Sequence, residues 1–152
     1  MSGVFDPDQF MQEEVSGAND TTYPTLPAGE YMGVIADVKV RQTEGKDGKS
    51  FYPADITWDL INVDPKVLAD LGRDKATVRQ SVFLDLSDSG GLDLGKGKNV
   101  QLGRLREALD LNTPGFSLRK LVGAGPAKLA VTLAPDRNGT PRNNVQSVGK
   151  AG

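Results

Sequence analysis

Residues 31–60 read YMGVIADVKVRQTEGKDGKSFYPADITWDL. A charged, glycine-rich tip, EGKDGK at 44–49, divides two segments that alternate apolar and polar residues. In the first, Met32, Val34, Ala36, Val38 and Val40 share one face; Gly33, Asp37, Lys39 and Arg41 share the other, together with Tyr31 and Ile35. In the second, Tyr52, Ala54, Ile56, Trp58 and Leu60 alternate with Phe51, Asp55, Thr57 and Asp59. Asp47-Gly48 is a tight-turn pair, so the stretch predicts a β-hairpin with one face turned to a core, where Tyr52 and Trp58 belong.

The pattern continues downstream. TVRQSVFLDL (77–86) alternates with Val78, Val82, Leu84 and Leu86 inward and Arg79, Ser81, Phe83 and Asp85 outward, and Gln80 interrupts the apolar face. NVQLGRLREALDL (99–111) carries Val100, Leu102, Leu105 and Leu109 at helical spacing behind Asn99, a candidate cap. FSLRKLVG predicts a second short helix. AKLAVTLA predicts a fourth strand, PDRNGTPR a hairpin tip and NNVQSV a fifth strand. DPKVLADLG (64–72) has Asp, Pro and Gly where a short helix needs cap, first position and stop. At the start of the chain, FDPDQF (5–10) supplies Asp6 as cap, Pro7, Gln9 and a Phe5–Phe10 staple for another.

Three strands, a helical segment and two strands is the order of a five-stranded Greek-key barrel of the OB type, with the helix between strands three and four. The expected architecture is mainly β with flanking helices: an acidic arm over 1–25, an OB-like barrel over 26–149 and a tail at 150–152. An open antiparallel α+β sheet gives a similar pattern.

Composition narrows the chemistry. The 152 residues contain no cysteine and no histidine, which excludes disulfides, thiolate metal sites, cysteine nucleophiles and His-based acid–base catalysis. No apolar run is long enough to span a bilayer and no signal peptide opens the chain, so the expected protein is cytoplasmic, without a membrane partner. The net charge of −2 is unevenly spread. Residues 1–30 hold six acids and no Lys or Arg, whereas the rest has 14 acids against 18 bases. An acidic leader of this kind can fold over the basic face of its own or a neighbouring copy, so a homo-oligomer formed through the arm is expected.

GGLDLGKG (90–97) has the glycine and lysine spacing of a phosphate loop, but Gly97 stands where Ser or Thr must hold Mg²⁺. That leaves Lys96 and Lys98 as secondary phosphate contacts near a helix start. The carboxylate pairs Asp85/Asp88 and Asp55/Asp59 lie on exposed faces or in a loop. No catalytic residue, metal or cofactor is expected.

In an OB barrel, oligonucleotides cross strands two and three and the loops joining strands one–two and four–five. Those loops supply Lys46, Lys49, Arg137 and Arg142; the adjoining outward faces supply Lys39, Arg41, Phe51, Arg79 and Phe83. Exposed rings that stack on bases, beside cations that track phosphates, are what single-stranded nucleic acid requires.

LPAGEYMGVIADVKVRQTEGKDGKSFYPADITWDL, TVRQSVFLDL, GKGKNVQLGRLREAL and RNNVQSV, spread over roughly 26–148, together resemble small bacteriophage early proteins related to phage single-stranded DNA-binding proteins. The resemblance implies an OB-like fold and single-strand binding, with a protecting or organising role in phage replication or recombination inside the host cell. Many single-strand binders end in an acidic tail; this chain ends SVGKAG and carries its acids at the front. A structural virion protein, such as a capsid decoration subunit, and an inhibitor that binds a host factor are the alternatives.

Overall fold

The structure, a computed structural model, describes residues 4–19 and 24–151. The leader acid Asp20 lies outside them. Among the described residues the protein is mainly β: one antiparallel sheet of six strands with a few short helices. The elements in chain order are α1 (Pro7–Gln12), β1 (Gly29–Val40), β2 (Thr43–Glu44), β3 (Ser50–Ile61), α2 (Pro65–Leu71), β4 (Thr77–Leu84), α3 (Val100–Ala108), a 3-10 turn (Leu118–Leu121), β5 (Ala127–Pro135) and β6 (Pro141–Lys150).

β1 and β3 form the expected hairpin, with β2 continuing β1 along the same edge of β3. The gap between β1 and β2 has a chemical cause. Arg41 N–H donates to the Pro53 carbonyl at 3.1 Å, but proline has no N–H to return to Arg41, so one rung is missing. Pro135 and Pro141 break no rung. The backbone pair Asp136–Thr140 is hydrogen-bonded, so the next pair along, Pro135–Pro141, falls at a non-bonded position.

Three tips share one design. Gly45–Lys49, Ser87–Gly91 and Asp136–Thr140 each close with an N–H to C=O bond of 2.7–2.9 Å, and each has glycine at positive φ in fourth place. This is the three-residue hairpin loop with a glycine bulge. The sequence indicated the first and third of these tips. The second extends β4 past its end to a bridge between Leu86 and Leu92, which is why Leu86 is exposed rather than inward.

The face assignment of β1 needs correction. A β-bulge between Ile35 and Asp37 makes Ala36 an extra residue, so the alternation reverses there. Before the bulge Gly33 and Ile35 point to the core; after it Val38 does. Ile35, expected on the outer face, is fully buried, and its N–H and C=O are taken by Ala124 and Gly123 after the 3-10 turn.

Strand β1 pairs with β3 on one side and, through Gly29–Gly33, with β5 on the other; β4 pairs with β3 and β6 with β5. The path therefore runs β4-β3-β1-β5-β6. No ladder among the described residues joins β4 to β6, so the sheet does not close into a barrel. Helix α3 packs against both of these end strands. A second bulge leaves Gln146 as the extra residue on β6, and a bulge disrupts the regular row of edge groups a neighbouring strand needs.

The core gathers Ile35, Ile56, Trp58, Val82, Leu102, Leu105, Leu121 and Leu129. Trp58 sits at its centre, and its indole N–H donates to Gln80 Oε1 at 2.9 Å. Gln80 thus faces inward with the apolar residues of β4 and satisfies a buried donor. Gly33 makes room for the ring. A Cβ there would lie 2.9 Å from a Leu129 methyl and 3.2 Å from the Trp58 ring. Asn143 holds Leu26 in the core like a strand partner, accepting its N–H at 2.8 Å and donating to its C=O at 2.9 Å.

Two substitutions test this core by thermal or urea unfolding. Gln80→Ala leaves the Trp58 N–H without a partner and should cost about 1–3 kcal/mol. Gly33→Val crowds Trp58 and Leu129 and should cost at least the roughly 1–3 kcal/mol typical of overpacking.

Candidate nucleic-acid interface

The outward face of β1, β3 and β4 is a grid fixed by register. Successive rows are Thr43–Phe51, Arg41–Pro53–Phe83, Lys39–Asp55–Ser81 and Asp37–Thr57–Arg79. The first two rows hold the rings Phe51 and Phe83 and Pro53 between them, with Thr43 and Arg41 on their β1–β2 side; the other two are charged and polar.

At the aromatic end Phe51 and Phe83 are 42% and 55% exposed. Their ring centroids are 6.4 Å apart in an edge-to-face arrangement. Pro53, flanked by them in the grid, is fully buried. The Phe51 ring also packs on the hairpin tip, where a Cβ on Gly45 would come within 2.6 Å of it. The rings therefore cover Pro53 and the tip with part of their surface and present the remainder to solvent. They line a cavity of about 680 Å³ with Tyr52, Leu84 and Leu86.

At the polar end a groove of about 470 Å³ is lined by Asp37, Lys39, Arg41, Asp55, Thr57, Arg79 and Ser81. Lys39, Arg41 and Arg79 are brought together here, but not as a bare cationic track. Arg41 Nε donates to Asp55 Oδ2 at 2.7 Å, Ser81 Oγ donates to Asp55 Oδ1 at 2.8 Å, and Lys39 Nζ is 3.9 Å from Asp37. Three cations thus share the groove with two carboxylates. The Arg41 hydrogen bond holds the Asp55 carboxyl below its ordinary range; burial opposes this and the Ser81 hydroxyl adds to it.

Lys46 and Lys49 are exposed on the tip beyond Phe51, with Lys49 Nζ 4.0 Å from Asp47. Arg137 and Arg142 belong to the β5–β6 tip. That tip lies past Gly29, at the opposite end of β1 from Lys46 and Lys49. Arg142 Nε donates to Asp136 Oδ2 at 3.1 Å. The Asp136 carboxyl is held low, first by the Thr140 N–H and then by Arg142. Neither arginine lines the groove.

Lys96 and Lys98 are exposed in the turn before α3. Asn99 opens the helix with φ 50°, yet its side chain caps nothing. It accepts the Asp85 N–H and donates to the Asp85 and Asp93 carbonyls, while its own N–H donates to the Asp85 carboxylate. Asn99 is therefore a clasp across the loop. Every ladder is antiparallel, so GGLDLGKG lacks the parallel βαβ setting of a phosphate loop. Asp85 is engaged by Asn99, Asp55 by Arg41 and Ser81, and Asp59 approaches Lys75 at 3.9 Å. Among the described residues no group of three or more acidic side chains is placed to hold a metal ion.

Sequence reading placed Phe51, Phe83, Lys39, Arg41 and Arg79 on the outer face, where they are. It placed Asp37, Asp55 and Ser81 on those same faces too, but did not show the contacts that tie Arg41 and Ser81 to Asp55 and bring Lys39 to Asp37. The three-residue loop at 46–48 sets Arg41 opposite Pro53 and Lys39 opposite Asp55, whereas a two-residue turn at Asp47-Gly48 would set them opposite Ala54 and Ile56, so the turn pair alone did not carry that signal. No family model matches the chain, and no curated protein matches it. Among the described residues no helix is long and apolar enough to cross a membrane.

Asp55→Asn releases Arg41. If the face binds phosphates, affinity for a single strand should rise at low salt. The slope of log affinity against log salt should steepen by roughly 0.7, the contribution of one phosphate contact. The sign with pH follows. A depressed folded pKa means that the Asp55–Arg41 pair stabilises the fold above the unfolded carboxyl pKa, about 3.9. That contribution is lost as pH falls through the lower folded value. Acid should therefore strengthen single-strand binding by freeing Arg41 and slightly weaken the fold, and Asp55→Asn should blunt both changes.

Proposed function

We propose that this chain is a non-enzymatic single-stranded DNA-binding protein that holds the strand on the outer face of β1, β3 and β4. The observation that carries the proposal is the half-exposed Phe51–Phe83 pair, next in register to Lys39, Arg41 and Arg79 and below the Lys46/Lys49 tip. Bases stack on the rings, and the backbone runs toward the cationic groove. The strand order supports the same reading. A three-strand meander, a helix and two strands attached to the far edge of β1 is compatible with the strand order of an OB-like fold, though the sheet itself stays open. In such a fold the ligand face is that of the second and third strands, here β3 and β4. The biological setting we propose is protection or organisation of single strands during phage replication or recombination.

Because two carboxylates offset part of the groove's charge, stacking carries more of the affinity than phosphate contacts. Phe83, the more exposed ring, should be the main platform. Phe83→Ala should weaken oligo-dT binding by about 1–3 kcal/mol, the worth of one stacked base, and should lower the melting temperature little. Phe51→Ala should weaken binding and also destabilise, because Phe51 supports the tip through Gly45. Lys46→Ala with Lys49→Ala should lower affinity for all sequences alike and flatten the salt slope. Equal affinity for duplex and single strand, or a Phe83→Ala protein that binds as the parent does, would refute the stacking mechanism.

A further inference from the structure

Besides the Phe51–Phe83 surface, two apolar surfaces stay open among the described residues, one flanked by acids and the other by Arg119. The first is the arm. Asp6 accepts the N–H groups of Asp8 and Gln9, which fixes α1, and the Phe5 and Phe10 rings pack at 5.3 Å. Yet Phe5, Phe10 and Met11 are 67%, 59% and 82% exposed, no residue of α1 is buried, and none joins the core. A helix of six residues has little stability alone, so an apolar face this open calls for a surface to lie on. The arm carries Asp8, Glu13 and Glu14 and no basic residue.

The second surface is a groove of about 400 Å³ between β1 and the 3-10 turn, lined by Asp37, Val38, Val40, Leu118, Arg119 and Val122. Val40 and Val122 are 51% and 46% exposed. Arg119 is exposed and makes no ion pair among the described residues. Asp37, the one acid on the rim, is already close to Lys39.

We propose that the arm of one copy docks in this groove of a second copy, with Phe5 and Phe10 on the Val38–Val40–Val122 surface and the arm's acids toward Arg119. The occupant is a second copy because one chain supplies both halves with matching polarity and opposite charge, while its own arm leaves its own groove open. Exchange of arms about a twofold axis makes the contact twice, which compensates for the small area of each arm. Val38 and Val40 point to the opposite side of β1 from Lys39 and Arg41, so the docked arm meets the outer face only at the shared rim residue Asp37. The inference therefore stands or falls independently of DNA binding.

The test is sedimentation velocity of the full chain at low salt over micromolar concentrations, with two variants and their mixture. The parent should dimerise, and high salt should weaken the dimer by screening Arg119. Phe5→Ser with Phe10→Ser removes the arm's apolar face; Val122→Asp with Arg119→Glu removes the groove. All four positions are exposed, so both variants should melt as the parent does. Each should sediment as monomer. Mixed, they should associate more than either does alone but more weakly than the parent, because only one of the two contacts is restored, the intact arm of the groove variant meeting the intact groove of the arm variant. A monomeric parent, an arm variant that still dimerises, or a groove variant that still dimerises would each overturn the proposal.

Discussion

One inserted residue, Ala36, organises the sheet. A strand that alternates strictly presents the same faces along its whole length, but β1 has two different tasks. Its first half must put Gly33 and Ile35 under Trp58 and Leu129 while pairing with β5. Its second half must put Lys39 and Arg41 on the outside while pairing with β3. The bulge reverses the alternation between the two halves. Where the β5 ladder ends at Gly33–Ala127, the Ile35 N–H and C=O are met by Ala124 and Gly123 as the chain leaves the 3-10 turn. The core, the entry into β5 and the placing of the basic face all follow from this point. Removing the extra residue would slip one half of β1 and turn its side chains to the wrong side.

Polar side chains complete what the short strands cannot. Asn99 closes the loop that precedes α3, and Asn143 stands in for a strand partner to Leu26. Asp47 and Asp136 accept backbone N–H groups inside their own turns. Gln80 does the same for the buried indole. Among the described residues no buried side-chain nitrogen or oxygen lacks a partner. These bonds tie down the loops and turns around the outer face of β3 and β4, which on the proposed reading would suit a surface that takes flexible strands. The fewer groups that must be ordered on binding, the less affinity is lost to entropy.

The hairpin at Asp47-Gly48, the outward placing of Phe83 and the helix between β4 and β5 were legible because each rests on local signals: period two, a turn pair, a cap. The bulge was not. Ile35 sat out of phase as an apolar residue among polar ones, and only the packing of Gly33 against Trp58 turns that anomaly into a reversal of faces. Gln80 read as a fault in an apolar row because its partner lies 22 residues away. The open seam between β4 and β6 was equally invisible, since strand order alone cannot say whether the last two edges meet. Asn99 shows how far local rules reach: a cap residue stood where a cap belongs, but its side chain served the loop.

The carboxylates among the cations set the character of the outer face. A purely cationic groove would attract any polyanion, duplex included, because phosphate contacts carry no information about strandedness. Here Arg41 is held by Asp55, and Asp55 is held in turn by Ser81, so the strongest cation of the central rows is committed within the protein. On the proposed single-strand reading, a duplex, whose bases are closed to Phe51 and Phe83, would meet only the remaining weak field. A single strand gains the ring surface as well, where each stacked base contributes about 1–3 kcal/mol. Partial neutralisation thus shifts discrimination toward the aromatic end of the grid, where single and double strands differ.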